Sequence, residues 1–271
     1  MKIGFEVKLR EQKVAIELID APEWEAFLKK GGGACYEPEV VNAMMRFVKP
    51  GDYVIDCGAN LGFFTTILSQ LVGPTGEVLA FEPDPKFFAR LKANLALNHA
   101  ENVQTFDTVL WHADEEGVGF YLNELGGYSS VLHYSCGTTD SLTVTARSLD
   151  SFINDEETKF RLIKIDCEGA EERILHGAER LLRTGIDCVI LEMNPHLMPH
   201  MNTSETIIRD YMRSLGYDLF LLNPYGDPPV PFSSGDVLIS PGKDEDFIFN
   251  VLFSTKEKVN AAWNDLKVAA A

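Results

Sequence analysis

Through the middle of the chain, short runs that are apolar throughout alternate with segments of helical periodicity. Tyr53–Cys57 reads as a strand and is followed by a helix from about Phe63 to Leu71. Val78–Phe81 is a second strand. Pro85–Leu97 is a helix with apolar side chains at Phe87, Phe88, Leu91 and Leu95, one face of a 3.6-residue period. Val103–Phe106, Leu162–Ile165 and Cys188–Leu191 are the third, fourth and fifth strands, with a helix from Ala170 to about Leu182 between the last two. Strands apolar on both faces and separated by helices predict a parallel sheet covered on both sides. Beyond them the pattern predicts a polar helix from about Ser204 to Leu215. Leu219–Leu222 and Phe247–Phe253 follow as an antiparallel closing pair, and Lys256–Lys267 as a terminal helix. The expected fold is α/β, a doubly wound, Rossmann-like, mainly parallel seven-stranded sheet with helices on both faces. Between the third and fourth strands lie about fifty further residues. They hold two strand-like runs, Gly117–Leu122 and Leu142–Ala146, around a polar stretch with several glycines. This β-rich insertion is expected to form a hairpin-like excursion near the mouth of a site.

Composition narrows the partners. Acidic residues number 41 against 24 basic ones, a formal net charge of -17 at pH 7. Such a surface repels phosphate backbones, and without a basic patch nucleic acid is not an expected partner. No run of about eighteen apolar residues occurs, so no membrane span is expected. Met1–Asp20 mixes charge with apolar residues and lacks the apolar block of a signal peptide. The cysteines (Cys35, Cys57, Cys136, Cys167, Cys188) are scattered without metal-ligand spacing. Those at 57, 167 and 188 lie in apolar runs and read as small buried hydrophobes, which fits a reducing cytoplasm. No feature of the sequence marks an oligomeric state.

The most informative segment is Val54-Ile55-Asp56-Cys57-Gly58-Ala59-Asn60-Leu61-Gly62. An apolar strand delivers an acidic residue, then two glycines, then a helix. In open α/β sheets ligands bind beyond the carboxyl ends of the strands. Gly58 and Gly62 allow a tight turn and a close ligand, and the helix N-terminus offers free N–H groups to an anionic group. Twenty residues past Gly62 stands Glu82, at the end of the second strand, where a carboxylate can accept both ribose hydroxyls of an adenosine. Without a ligand, a glycine-rich turn is also an ordinary structural turn; Glu82 makes that reading the weaker one. A dinucleotide turn wants a second glycine that makes room for a pyrophosphate. Here Asp56 and Asn60 flank the turn, which would repel a pyrophosphate and suit the ammonium of a methionine moiety. S-adenosylmethionine is therefore the expected cofactor, ahead of NAD.

These residues resemble the FkbM-type methyltransferases, mostly O-methyltransferases of natural products and sugars. The resemblance runs from about Tyr36 to Glu192. Besides Val54–Gly62 and Ala80–Pro85 it takes in Asn94, Asn98, Ser129-Ser130-Val131-Leu132, Val144–Asp150 and, most specifically, Lys164-Ile165-Asp166-Cys167-Glu168-Gly169-Ala170-Glu171. The chain then reads as a single methyltransferase domain, 1–271. It divides into an N-terminal extension at 1–35, a cofactor-binding core at 36–192, and closing strands and helices at 193–271. The resemblance implies that Glu82 holds the ribose and that Asp56, Gly58, Asn60 and Gly62 line the methionine end. Tyr36 and Glu37 would close over it. Asp107 would accept from the adenine amino group, or else is an exposed turn aspartate. Lys164, Ser130 and Asn194 are candidate acceptor-binding residues, and substrate choice is expected in the insertion and the two ends of the chain.

Methyl transfer needs an aligned acceptor and excluded water, and a hydroxyl acceptor must also lose its proton. Candidate bases are Asp166, Glu192 and His196, with His133 behind them. Asp166, Glu192 and Asn194 can instead supply oxygens to Mg²⁺. Asp166 and Lys164 share a strand face, so a structural ion pair competes with a site role for both. Glu168 and Glu171 fit a helix N-terminus, where carboxylates are favoured by about 0.3–1 kcal/mol. The expected activity is methyl transfer to a hydroxyl of a small molecule or sugar. A nicotinamide-dependent oxidoreductase on the same sheet, or a module that binds the cofactor without turnover, are the alternatives.

Overall fold

The computed structural model describes residues 2–9, 12–19, 36–123, 129–132, 138–154, 157–223, 228–232 and 248–264. Its centre is a sheet in which Tyr53–Cys57 (β3), Glu77–Phe81 (β4), Val103–Phe106 (β5), Phe160–Ile165 (β9) and Cys188–Met193 (β10) run parallel, in the order β5-β4-β3-β9-β10. The chain winds outward from β3 to β5, then returns to β3's other side with β9. The crevice between β3 and β9 is thus the topological switch point of the sheet. Phe249–Ser254 (β13), Asp218–Leu221 (β11) and Val230–Pro231 (β12) continue the sheet antiparallel beyond β10. The antiparallel closing pair matches the pattern of the sequence. β12 brings the strands to eight rather than seven, because a two-residue edge strand ending in proline carries no periodicity to read.

Alternation along the strands divides the core into two layers. Val54, Leu162 and Ile190 pack under Pro38–Phe47 (α1) and Phe63–Val72 (α2); Ile55, Ile163 and Val189 pack under Glu171–Gly177 (α5), Glu179–Arg183 (α6) and Glu205–Ser214 (α7). Each fully buried Val, Leu or Ile side chain contributes about 1.5–3 kcal/mol. Asp56 and Lys164 fall on the α1/α2 side and are neighbours in register. This alternation places two charged groups inside the protein rather than at its rim.

Pro85–Leu97 (α3) starts where it should. Asp84 caps it, its Oδ1 accepting from the N–H groups of Lys86 and Phe87, with Pro85 in the first turn. The insertion forms a three-stranded sheet from Val109–Leu110 (β6), Glu115–Asn123 (β7) and Thr138–Arg147 (β8). It is followed by the short helix Leu149–Phe152 (α4). Lys2–Leu9 (β1) and Gln12–Ile19 (β2) form an antiparallel hairpin that buries Ile16 and Leu18 against the α1/α2 layer. Lys256–Ala262 (α8) closes the same layer through Val259 and the following Trp263. Among the described residues no helix is long and apolar enough to cross a membrane.

Candidate active site

Six loops meet above the switch point: those after β3, β4, β9 and β10, residues 36–37 ahead of α1, and residues 129–132 of the insertion. Gly58 fixes the first. Its φ is +81°, and a Cβ there would lie 1.8 Å from the backbone oxygen of Asp166. No side chain fits, so the loops after β3 and β9 can touch only at a glycine. Asn60 also has positive φ; its N–H donates to Glu82 Oε2 at 2.8 Å and its own Oδ1 accepts from Leu61 N. Glu82 Oε1 accepts from Asp84 N at 2.9 Å. Burial pushes the Glu82 carboxyl up to about 8 against the pull of these two N–H groups, with Asp84 and Asp56 adding to the rise. Each carboxylate oxygen keeps a second lone pair.

Asp56 is fully buried. Thr65 donates to its Oδ2 at 2.6 Å, while Oδ1 has no partner. Burial raises its carboxyl, and Lys164 lowers it. Lys164 lies between the acids. Its Nζ is 2.9 Å from Asp166 Oδ2 and 4.8 Å from the centre of the Phe64 ring. Burial alone would drive this ammonium down, but Asp166, Asp56 and Glu37 hold it above the usual lysine value.

Three carboxylates, Asp166, Glu168 and Glu192, each offer an oxygen within 4.8 Å of the others. Burial, then Asp166, pushes Glu168 and Glu192 well above the usual carboxylate range, and Glu192 hydrogen-bonds Asp166. A carboxylic acid donating to a carboxylate is the arrangement that relieves such crowding. Glu37 joins from the opposite wall, pushed up to about 7 by burial and by Asp166, while Lys164 pulls it back down. The phenol of Tyr36 hydrogen-bonds Glu37 and packs on Phe63 and Phe64; burial and these acids raise its pKa. Oε2 of Glu37 and Oε2 of Glu168 are shielded from solvent and without a partner.

The remaining sequence candidates sit at the edge of this cluster. Ser130 Oγ donates to the backbone oxygen of Glu168 at 2.7 Å. Ser129 Oγ donates to Asp84 Oδ2, so the insertion is tied to both the β4 and the β9 loops. Asn194 Oδ1 accepts from His196 N, which fixes the turn after β10 and engages that oxygen locally. The His196 side chain is half-buried in that turn. Asp107 is exposed after β5, and His133 lies outside the described residues. Glu171 is buried and accepts from Cys167 N and Gly169 N, so it closes the β9 loop. Glu168 is the residue the sequence reading passed over. Its position before a helix offered an ordinary explanation, whereas its positive φ of 49° turns it out of the helix.

A crevice at the switch point of a doubly wound parallel sheet, with a glycine turn on one side, defines a nucleotide-binding type of α/β fold. The chain belongs to the FkbM family of S-adenosylmethionine-dependent methyltransferases, matching the Methyltransferase FkbM domain over residues 56–219. It is 26% identical over 161 residues to Methyltransferase 1 of Beauveria bassiana, covering 52% of this chain and 64% of that protein. It is 30% identical over 163 residues to 31-O-demethyl-FK506 methyltransferase FkbM of Streptomyces tacrolimicus, covering 49% and 61%. The match spans less than two thirds of either relative's length. A solved FkbM methyltransferase from Methylobacillus flagellatus superimposes with a TM-score of 0.46 at 14% identity, over 85% of this chain and 60% of that one.

Proposed function

We propose that the protein transfers a methyl group from S-adenosylmethionine to a hydroxyl of a small molecule or sugar. The observation that carries this is the surplus of buried carboxyl groups. Asp166, Asp56 and Glu37 act on one ammonium, Lys164; Glu168 and Glu192 crowd Asp166; and three oxygens, on Glu37, Asp56 and Glu168, lack partners. A ligand bringing an ammonium and a sulfonium fits that deficit.

When bound, the cofactor supplies a methyl group already activated on sulfur. The protein's part is alignment, dehydration and proton removal. Glu82, held by two backbone N–H groups, offers its free lone pairs to the ribose. Asp56 acts through its field, since Thr65 and the α1/α2 layer enclose it. Tyr36 and Glu37 cover the reacting region. Asp166, more exposed than its partner Lys164 and hydrogen-bonded to Glu192, takes the acceptor's proton. One observation favours a second route: the Asp166, Glu168 and Glu192 oxygens are suited to Mg²⁺, with Glu168 in the place expected of Asn194. The cytoplasm is the proposed compartment, supported by the free thiols of Cys57, Cys167 and Cys188.

The test is calorimetric titration with S-adenosylmethionine and with NAD, on the native protein and on Glu82→Gln. The native protein is expected to bind only the first, and the variant to bind it about 10–100-fold more weakly, as for lost charge-assisted hydrogen bonds. Asp166→Asn should still bind S-adenosylmethionine, more weakly for the loss of one carboxylate charge, and should lose methyl transfer to hydroxylated acceptors. Loss of that transfer on chelation, restored by Mg²⁺, selects the metal-assisted route. Binding of NAD instead, or cofactor affinity indifferent to Glu82, would overturn the reading.

A further inference from the structure

Asn250, a buried polar residue of β13, lies outside the matched residues 56–219 yet next to the acid cluster. β10 and β13 pair antiparallel, with Ile190 opposite Leu252 and Glu192 opposite Asn250. Alternation puts all four side chains on the α1/α2 face. The first pair is apolar and belongs to the core of that layer. The second pair, nearer the carboxyl end of β10, is polar and still enclosed, Glu192 at 9% exposure and Asn250 at 8%. Opposed side chains of an antiparallel pair stand about 4.5–5.5 Å apart at Cβ. A neutral amide thus sits beside Glu192, which in turn hydrogen-bonds Asp166. The backbone of Asn250 is held on both sides, by β10 and by Leu222 N, which donates to Asn250 O at 3.2 Å.

From this fixed base Asn250 reaches α1. Its Nδ2 donates to Glu39 Oε1 at 3.2 Å. Glu39 stands in the first turn of α1, two residues after Glu37. Glu37 is the N-cap of that helix, yet its φ is +41° and its side chain makes no capping hydrogen bond. Its carbonyl accepts from Val40 N at 3.0 Å and Val41 N at 3.2 Å, so the backbone at Glu37 moves with the turn. Its carboxylate faces Asp166 and Lys164 instead of the helix. A left-handed conformation is costly for a residue with a Cβ and persists where the surroundings enforce it. Val40, Val41 and Met44 pack α1 into the core, but apolar contact is non-directional. At the far end of α1, Arg46 Nη1 donates to Ala262 O at 3.3 Å. In the first turn, the directional tie to the sheet is the bond from Asn250.

We propose that Asn250 is a positioning residue: by holding Glu39 it sets the first turn of α1, and with it Tyr36 and Glu37, over bound S-adenosylmethionine. The inference rests on the reading that Tyr36 and Glu37 cover the reacting region, and adds the contact that keeps them there. An amide suits this place because it donates without bringing charge. A carboxylate in its stead would face both Glu192 and Glu39, and an apolar side chain would leave Glu39 to water. Loss of the tie is felt once the cofactor is bound, so it falls on release more than on association.

The test follows release of labelled S-adenosylmethionine, chased with excess unlabelled cofactor, from the full chain and its variants. Asn250→Leu is expected to release it about tenfold faster than the native protein. Glu39 is half-buried, a place that tolerates change, and Glu39→Leu should match Asn250→Leu. Asn250→Asp should be faster still, because the new carboxylate repels Glu39. Adding Glu39→Gln to Asn250→Asp exchanges donor and acceptor and should return release toward the native rate. Tyr36→Ala removes the cover itself, so adding Asn250→Leu to it should change release no further. A residue that only braced the fold would lower the thermal midpoint and show no such dependence on Tyr36. Native release in Asn250→Leu or Glu39→Leu would overturn the proposal. So would an exchange as fast as Asn250→Asp alone, or an undiminished Asn250→Leu effect on top of Tyr36→Ala. Failure of the native protein to bind S-adenosylmethionine would instead remove the methyltransferase reading beneath it.

Discussion

Lys164 and Asp166, two residues apart at the end of β9, form a 2.9 Å ion pair whose two ends live in different environments: the lysine side chain is 3% exposed and the aspartate 23%. The pair is asymmetric in a second way. Asp166 is shared with Glu192, while Lys164 also faces Asp56 and Glu37. A buried ion pair adds little to stability as such, but removing one partner strands the charges left behind. Lys164→Met should therefore cost about 3–5 kcal/mol in denaturant unfolding. Adding Asp56→Asn to it should return part of that loss, because the stranded carboxylate is then neutral. Additive losses in the double variant would mean that the two residues do not interact.

The same crowding sets the pH dependence of the unliganded protein. Burial holds Glu82 at about 8 and Glu37 and Glu171 at about 7, and holds Glu168 and Glu192 well above the usual carboxylate range. In the unfolded chain all of them return to the ordinary carboxylate value. Between that value and about 8 the folded state holds more protons than the unfolded one, so stability falls as pH rises. The opposing groups act elsewhere. Asp114, Glu179 and Asp187 have lowered values and lose their contribution only in acid, and the raised Lys164 acts only in strong alkali. The thermal midpoint should drop by several degrees from about pH 5.5 to about pH 8.5, in keeping with about 2–4 °C per kcal/mol for a chain of this size. Saturating S-adenosylmethionine should flatten the slope, since its cationic groups favour the ionised carboxylates. A midpoint that rises across this interval would show the cluster ionised at no cost.

How much of this was legible beforehand differs from element to element. β3, β4 and α3 were plain because each carried its own signal: unbroken apolar runs for the strands and Asp84-Pro85 for the helix start. The hairpin β1–β2 was not. Ile3, Phe5, Val7 and Leu9 alternate with polar residues as a half-buried strand should, but the charges between them drew attention only as the lack of a signal peptide. The helix expected over Ala170–Leu182 is broken into α5 and α6 at Gly177 and Ala178. At that break the Trp111 carbonyl occupies the place of a Gly177 Cβ, so only glycine fits there, a contact remote in sequence. Of the site, the glycine turn, Glu82 and the Lys164–Asp166 pairing followed from strand geometry. Glu168 did not, because nothing local marks a residue that will adopt positive φ.

Asn94 on α3 and Asn98, one turn further and just past the helix end, give the hairpin a role that can be measured. The fully buried Asn94 donates through Nδ2 to Leu61 O at 2.8 Å, inside the glycine turn, and accepts at Oδ1 from Ile19 N at 2.8 Å. Asn98 takes both backbone groups of Glu17, at 2.7 and 3.0 Å. One buried amide thus joins the end of β2 to the turn below the cofactor crevice. Replacing Asn94 by Leu leaves the Leu61 carbonyl and the Ile19 N–H without partners, at about 1–3 kcal/mol for each buried group. Asn98→Ala, nearer solvent, should cost about 0.5–1.5 kcal/mol. Hydrogen exchange separates a local effect from a general one. In Asn94→Leu the Ile19 amide should lose protection and S-adenosylmethionine should bind several-fold more weakly, whereas Asn98→Ala should loosen Glu17 and leave cofactor affinity alone. Equal loss of cofactor affinity in both variants would mean that the hairpin as a whole, and not the Asn94 link, supports the turn.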